Sequence, residues 1–397
     1  MPDTPLQATH PTKVLLIDDQ RMVGEAIRRM LADIPQLEYR FCSDPACALS
    51  AASEFQPTVI LQDLIMPGAD GIQMVRDFRA NAATSSTPLV VLSSKEEATT
   101  KAEAFAAGAN DYLVKLPDKL ELVARIRYHS AAYVSRIERD AAYAALQAQQ
   151  KIIEQEIAEA AAYVRSLLPV PMAAASPVPS DWRFITSSSL GGDIFGYHWL
   201  TPHQLVMYLL DVCGHGVGSA LLSVSAVNTI RSRTLPNADF TVPSQVLASL
   251  NRLFPMEEQN GKYFTMFYGV FDTQTRTLTH ASAGHPPAVA IAPDGTATNL
   301  SSTGLMLGAF PSATYKDITT TLPAGTRLFM FSDGCYELTA PATGDAPGRL
   351  MSLADFTALL TERALHSDTL DRILAATQSW QQRPDFEDDF SLVEFHL

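Results

Sequence analysis

Asp211 opens the stretch Asp211-Val212-Cys213-Gly214-His215-Gly216-Val217-Gly218. Ahead of it, Leu205–Leu210 reads as a buried strand; behind it, Ser219–Val224 reads as the start of a buried helix. The glycines let the backbone approach something small. Three further aspartates stand in comparable places. Asp193 closes Leu190-Gly191-Gly192-Asp193, Asp333 follows the apolar run Phe329-Met330-Phe331-Ser332, and Asp388, paired with Asp389, leads into Phe390-Ser391-Leu392-Val393. Carboxylates at strand ends are hard oxygen ligands suited to Mg²⁺ or Mn²⁺. Two such ions a few ångströms apart can activate a water and stabilise the phosphoryl oxygens of a phosphate ester. Each aspartate alone is equally well explained as a turn cap; the four together favour a metal centre.

A second acidic group lies in the N-terminal third. Val14–Ile17, Tyr39–Cys42, Val59–Gln62, Leu89–Leu92 and Tyr112–Val114 read as strands, alternating with helices at Val23–Ala32, Ala46–Glu54, Ile72–Arg79 and Thr100–Ala107. Continuous apolar strands between helices imply a five-stranded, doubly wound parallel sheet covered on both faces. Ligands of such sheets bind beyond the strand C-termini. Asp18 and Asp19 fall there after the first strand, Asp63 after the third, Ser93 after the fourth and Lys115 after the fifth. Three carboxylates in one place repel each other unless a cation joins them, which implies Mg²⁺, and Lys115 can reach one of them.

Residues 12–129 resemble a response-regulator receiver domain in every element. The resemblance makes Asp63, in Gln62-Asp63-Leu64-Ile65-Met66-Pro67-Gly68, the phospho-acceptor. It places Mg²⁺ on Asp18, Asp19, Asp63 and the carbonyl of Ile65, sets Ser93 and Lys115 against the phosphoryl group, and makes Tyr112 the switch aromatic. One departure is Leu116, which separates Lys115 from Pro117 where the family joins lysine to proline directly; the family's cis lysine–proline bond is not expected.

Residues 181–397 resemble the SpoIIE-like branch of the metal-dependent protein Ser/Thr phosphatases, the protein phosphatase 2C superfamily. The motifs come in order: Gly191 to Asp193, Asp211 to Gly216, Ala283-Gly284-His285-Pro286-Pro287, Gly304 to Gly308, Ser332-Asp333-Gly334 with Glu337, and Asp388 to Ser391. The resemblance implies an α+β domain, a β-sandwich flanked by helices. It implies two Mn²⁺ or Mg²⁺ ions on Asp193, Asp211, Asp333, Asp388 and the carbonyl of Val212. Asp389 is read as a supporting or capping group. By analogy His215 is a candidate acid for the leaving group, though a structural histidine is the simpler reading for it and for His285. Strands are expected around Phe184 and at 205–210, 263–271, 277–282, 287–292, 327–331 and 391–396, and helices at 217–233, 243–254, 352–364 and about 368–382. Gly191-Gly192-Asp193 also invites a diguanylate-cyclase reading, but Ile194-Phe195 stands where that signature needs a second acid followed by phenylalanine.

Between the two regions, Asp118 to Leu168 contains neither glycine nor proline. It reads as a helical stalk about 75 Å long, at ~1.5 Å per residue. Leu146, Ile153, Ala160 and Leu167 recur every seventh residue, with Ile157 and Val164 between them. This heptad seam predicts a parallel homodimer. Ile126, Tyr133 and Ile137 keep another phase, so the register shifts near 139–143. Residues 169–180 read as a Pro/Ala/Ser linker and 1–12 as a loose leader.

A net charge of −14 offers no basic patch for nucleic acid or an anionic membrane. Four cysteines do not form a disulfide framework in 397 residues. Without an apolar span or a signal-peptide pattern, the expected location is the cytoplasm. The expected protein is a two-component response regulator whose Asp63 phosphorylation, by a histidine kinase or phosphotransfer protein, controls a phosphoserine/phosphothreonine phosphatase. By resemblance, its substrate is a phosphorylated anti-sigma-factor antagonist or a similar partner-switching protein. The alternative is a switchable adaptor binding a sigma factor through a non-catalytic phosphatase-like domain; such relatives typically lose metal aspartates, and all four are present here.

Overall fold

The structure, a computed structural model, describes residues 11–342, 348–364 and 368–397. The expected leader lies almost wholly outside them. The chain divides into two compact units, residues 1–151 and 152–397.

In the first unit, β1 (Thr12–Ile17), β2 (Leu37–Cys42), β3 (Val59–Asp63), β4 (Leu89–Ser93) and β5 (Asp111–Val114) form a parallel sheet in the order β2-β1-β3-β4-β5. α1 (Arg21–Leu31), α2 (Ala48–Phe55), α3 (Gly71–Ala80) and α4 (Ala98–Ala107) connect them. The strands read as unbroken apolar runs because both faces are covered. Val14, Leu16, Val59, Leu61, Val90 and Leu92 face one core with Ile27 of α1; Leu15, Ile17, Ile60 and Val91 face the other with Val75 and Phe78 of α3.

α5 runs unbroken over Lys119–Ser166, 48 residues, about 72 Å at 1.5 Å per residue. Its first turns complete the receiver core through Leu122 and Ile126. Ser130 is buried there and donates a 2.5 Å hydrogen bond to the Thr58 hydroxyl. This explains the change of phase: Ile126 and its neighbours follow the curvature of a sheet, whereas the later heptads follow a helical period alone. Leu146 and Ile153 are 60% and 55% exposed. Val164 and Leu167, at the end of the same seam, pack instead on the core of the second unit.

The second unit stacks two antiparallel five-stranded sheets. Its strands are β6 (Ser180–Ile185), β7 (Ile194–Trp199), β8 (Gln204–Val212), β9 (Phe264–Asp272), β10 (Thr277–Ala283), β11 (Ala288–Ile291), β12 (Ala297–Leu300), β13 (Ile318–Thr321), β14 (Arg327–Phe331) and β15 (Phe390–His396). One sheet runs β13-β10-β9-β8-β7, the other β12-β11-β14-β15-β6. α6 (Val217–Arg231) and α7 (Pro243–Leu253) cover the first; α8 (Leu353–Arg363) and α9 (Thr369–Gln381) cover the second. Strand alternation sorts the side chains between layers. Leu328 and Met330 of β14 enter the core between the sheets, while Phe329 and Phe331 point to α8 and α9.

The linker after α5 is not loose. Val178 is fully buried, and Ser180 donates its N–H to the Met172 carbonyl. β7, β12 and β13 were not expected from the sequence. Gly196 interrupts the apolar pattern of β7 because the ring and hydroxyl of Tyr208 occupy the place of its missing side chain. β12 and β13 are short edge strands with exposed threonines, so they have little apolar signal.

Candidate functional site

At the C-terminal edge of the receiver sheet, Asp18 follows β1 and Asp63 ends β3, both buried. Oxygen atoms of Asp18, Asp19 and Asp63 lie within 4.8 Å of one another. Lys115, just past β5, places its Nζ 2.6 Å from Asp18 and 2.7 Å from Asp63. Burial pushes the Asp18 pKa up, against the pull of Lys115. Burial alone would lower the Lys115 pKa, but its two carboxylate partners raise it. One lysine does not balance three carboxylates, and Oδ1 of Asp19 is buried without a hydrogen-bond partner. An oxygen-only donor set with an orphaned acceptor fits a hard divalent cation.

Asp63 accepts the Ile65 N–H, and Ile65-Met66 pairs with Ala69-Asp70 in a tight hairpin that carries the backbone past the carboxylates. Ser93 is buried at the end of β4, its hydroxyl accepting the Lys95 N–H. Tyr112, half-buried on β5, donates its hydroxyl to the Lys95 carbonyl at 2.7 Å. Lys95, which the sequence did not single out, therefore ties Ser93 to Tyr112 through its backbone. The Lys115–Leu116 peptide is cis although Leu116 is not proline.

In the second unit the four aspartates come from both sheets and meet at one end of the sandwich. Asp193 immediately precedes β7, Asp211 is the penultimate residue of β8, Asp333 follows the end of β14 by two residues, and Asp388 precedes the start of β15 by two. The pairings Leu210–Ile194 and Phe331–Leu392 bring these ends side by side. Among the described residues the four do not converge as tightly as the receiver trio. They form a row instead. Asp193 is raised well above the usual carboxylate range by burial and by Asp211 and Asp389 beside it. Burial, then Asp333 and Asp388, pushes Asp211 to about 7. Burial and Asp388 push Asp333 to about 6, and burial raises Asp388 despite His215 nearby. Among the described residues no lysine or arginine relieves any of them. Such a row of uncompensated carboxylates fits more than one divalent ion.

The backbone around the row is held closely. Asp389 is 3% exposed. Its Oδ1 accepts the Ser187 N–H and hydroxyl, and its Oδ2 accepts the N–H groups of Gly192 and Asp193. It therefore anchors the loop that ends in Asp193. A Cβ at Gly192 would collide with the Val212 carbonyl, and one at Gly191 with the Asp389 carboxylate. The Ser391 hydroxyl donates to Asp193 at 2.6 Å, joining one sheet to the other. Ser391 is the partner that sequence reading missed; only its place two residues after Asp389 hints at it.

His215 lies exposed beside Asp388. His285 is buried, its Nδ1 paired with the Thr265 hydroxyl at 2.8 Å, and burial pushes its pKa down to about 3. It is a neutral strut. Glu337 sits next to Asp333, on which its charge acts. Cys213 accepts the Tyr263 N–H, and Cys335 is buried with its thiol on the Ser391 carbonyl.

Comparison with known proteins agrees with the division into two folds. The profile of the family described as stage II sporulation protein E (SpoIIE) matches residues 201–397, and that of the response regulator receiver domain matches 14–127. Phosphoserine phosphatase RsbP of Bacillus subtilis (strain 168) is 30% identical over 167 residues, 41% of each chain. Phosphoserine phosphatase RsbU of the same organism is 30% identical over 190 residues, 47% of this chain and 55% of that protein. The chain thus spans about half the length of these two relatives. The solved SiaA-PP2C domain of Pseudomonas aeruginosa has the same fold, with a TM-score of 0.54 at 18% identity, over 63% of this chain and 99% of that one. The chain accordingly combines a response-regulator receiver domain, residues 14–127, with a SpoIIE-family domain of the PP2C type, residues 201–397.

Proposed function

We propose that the chain is a two-component response regulator in which phosphorylation of Asp63 controls a metal-dependent protein phosphoserine/phosphothreonine phosphatase. The observation that carries the enzymatic reading is the row Asp193–Asp211–Asp333–Asp388, drawn from two sheets and, among the described residues, left without a lysine or arginine counter-charge. A docking surface alone would not keep four mutually repelling acids together. The four carboxylates and the Val212 carbonyl would hold two Mn²⁺ or Mg²⁺ ions. When bound, the ions supply an activated water and positive charge for the phosphoryl oxygens. The chain's part is to position: Asp389 fixes the loop carrying Asp193, Ser391 fixes the carboxylate itself, and Gly192 lets the Val212 carbonyl approach. The substrate fitting the relatives' names is a phosphorylated protein, and we take a phosphorylated anti-sigma-factor antagonist or a similar partner-switching protein as the class to test. Wild-type protein is expected to hydrolyse p-nitrophenyl phosphate with Mn²⁺ and to stop when EDTA removes the metal. Equal rates in both conditions would return the domain to the adaptor reading.

In the receiver, Asp18, Asp19, Asp63 and the Ile65 carbonyl would hold Mg²⁺, with a sensor histidine kinase or a phosphotransfer protein as phosphoryl donor. Ser93, Tyr112 and Lys115 would report the modification. Asp63→Asn is expected to lose all labelling by acetyl phosphate; label persisting on that variant would move the acceptor elsewhere.

The exposed seam of α5 supports a homodimer through the stalk. Burying a leucine or isoleucine side chain stabilises by about 1.5–3 kcal/mol, and a lone helix leaves Leu146 and Ile153 uncovered. The double change Ile153→Glu with Ile157→Glu is expected to give monomers in sedimentation velocity, and a dimer that survived it would place the interface outside these heptads. No described helix is long and apolar enough to cross a membrane, and we place the protein in the cytoplasm, without nucleic acid or membrane as partner.

A further inference from the structure

A second polar cavity in the phosphatase unit lies away from the aspartate row, at the opposite end of α6. Its volume is about 200 Å³. Arg231, the last residue of α6, and Arg233 line it together with His198 of β7, Tyr208 of β8 and Gly196, and no carboxylate does. In a chain with a net charge of −14, two guanidiniums in a carboxylate-free cavity are unusual. Neither arginine has an ion-pair partner among the described residues. Arg231 donates only to the Leu167 carbonyl at 3.2 Å, and Arg233 to the Trp199 carbonyl at 3.3 Å.

The neutral groups point the same way. Tyr208 is 1% exposed, yet its hydroxyl has no hydrogen-bond partner among the described residues. That hydroxyl stands where a side chain at Gly196 would otherwise lie, at the wall of the cavity. The Nε2 of His198 is buried and unpartnered as well. A buried polar atom left without a partner costs about 1–3 kcal/mol; the Nε2 of His198 is such an atom, and the two exposed arginines beside it meet no carboxylate in the cavity, so an acceptor is what this wall lacks. A tetrahedral oxyanion supplies one: it has acceptors on every side, and guanidinium forks match its edges.

We infer that this cavity is a binding site for a phosphate-sized oxyanion, held by Arg231, Arg233, Tyr208 and His198. The volume admits a phosphoryl group. Leu167 and Pro169, where the stalk ends, form part of the wall. A bound anion therefore ties the end of the stalk to α6, whose other end follows the loop after Asp211. This site is independent of the proposed phosphatase activity.

The test is calorimetric titration of the full chain in EDTA, which empties the metal centres, at ionic strength fixed with chloride. Orthophosphate is expected to bind once per chain. Arg231→Gln combined with Arg233→Gln keeps an amide donor for each carbonyl and is expected to weaken binding by about tenfold or more. Tyr208→Phe, which leaves all charges in place, is expected to weaken it several-fold, and circular dichroism checks that each variant is folded. Phenyl phosphate titrated alongside separates the sources: equal affinity assigns the site to the phosphoryl group of an ester, and binding of orthophosphate alone assigns it to the free ion. Absence of wild-type binding, or wild-type affinity in the arginine and tyrosine variants, overturns the inference.

Discussion

Asp211→Asn is expected to cost at least about 100-fold in Mn²⁺-dependent hydrolysis while raising the melting temperature of the metal-free protein. Both effects come from one cause. Asp211 sits in the middle of the row, where burial and then Asp333 and Asp388 oppose its charge. An asparagine has nearly the same shape and no charge, so the repulsion on Asp193, Asp333 and Asp388 falls. The carboxylate that a divalent ion needs is lost with it. Removing ~1 kcal/mol of repulsion raises the melting temperature of a unit of this size by about 2–4 °C. A variant that lost activity by misfolding would melt lower, so calorimetry beside the rate assay separates the explanations. Unchanged hydrolysis by a folded Asp211→Asn protein would remove this residue from the catalytic centre.

The metal-free protein should lose stability as the pH rises from 5 to 8, and Mn²⁺ should restore it most strongly at pH 8. The folded-state pKa values of Asp211 and Asp333 are raised to about 7 and about 6, and those of Asp193 and Asp388 are raised as well. Between the unfolded carboxylate value, near 4, and these raised values, the folded chain binds more protons than the unfolded one. Stability therefore falls with increasing pH across that window and levels off above it. A divalent ion replaces the lost protons as the neutralising charge, and binding to the folded state adds stability with increasing concentration. Differential scanning calorimetry at three pH values, with EDTA and with Mn²⁺, measures both effects. Asp211→Asn should flatten the slope. A metal-free melting temperature that rose with pH would show that the row is not strained by its own charge.

Much of this was legible in the sequence because the elements that matter are buried on both sides. Val14–Ile17 and Leu205–Leu210 read as strands without context, since nothing polar interrupts them. The aspartates were legible for a related reason: a charge at the end of an apolar run has nowhere to go but the edge of the core. What could not be read depends on pairings between distant residues. Gly196 looks like a break in β7 until Tyr208 is seen against it. Asp388 and Asp389 are adjacent and chemically identical, but one is exposed in the row and the other is buried and spent on the N–H groups of Gly192 and Asp193. Nothing local distinguishes them, because the difference lies in which donors arrive from some 200 residues away. The phase change along α5 has the same character: its cause is the hydroxyl of Thr58 and the sheet behind it.

The strand that brings Asp388 and Asp389 to the row, β15, is hydrogen-bonded on both sides, between β14 and β6. It is an interior strand, although it follows the other nine strands of the sandwich in sequence. A nascent chain lacking residues 388–396 has β6 cut off from β14, no anchor for the Gly191–Asp193 loop and an incomplete acidic row. Every earlier residue can therefore be translated, and the receiver folded, while the acidic row is still incomplete. A stop codon or proteolytic nick just ahead of β15 would have the same effect, leaving an intact receiver beside an unfinished row.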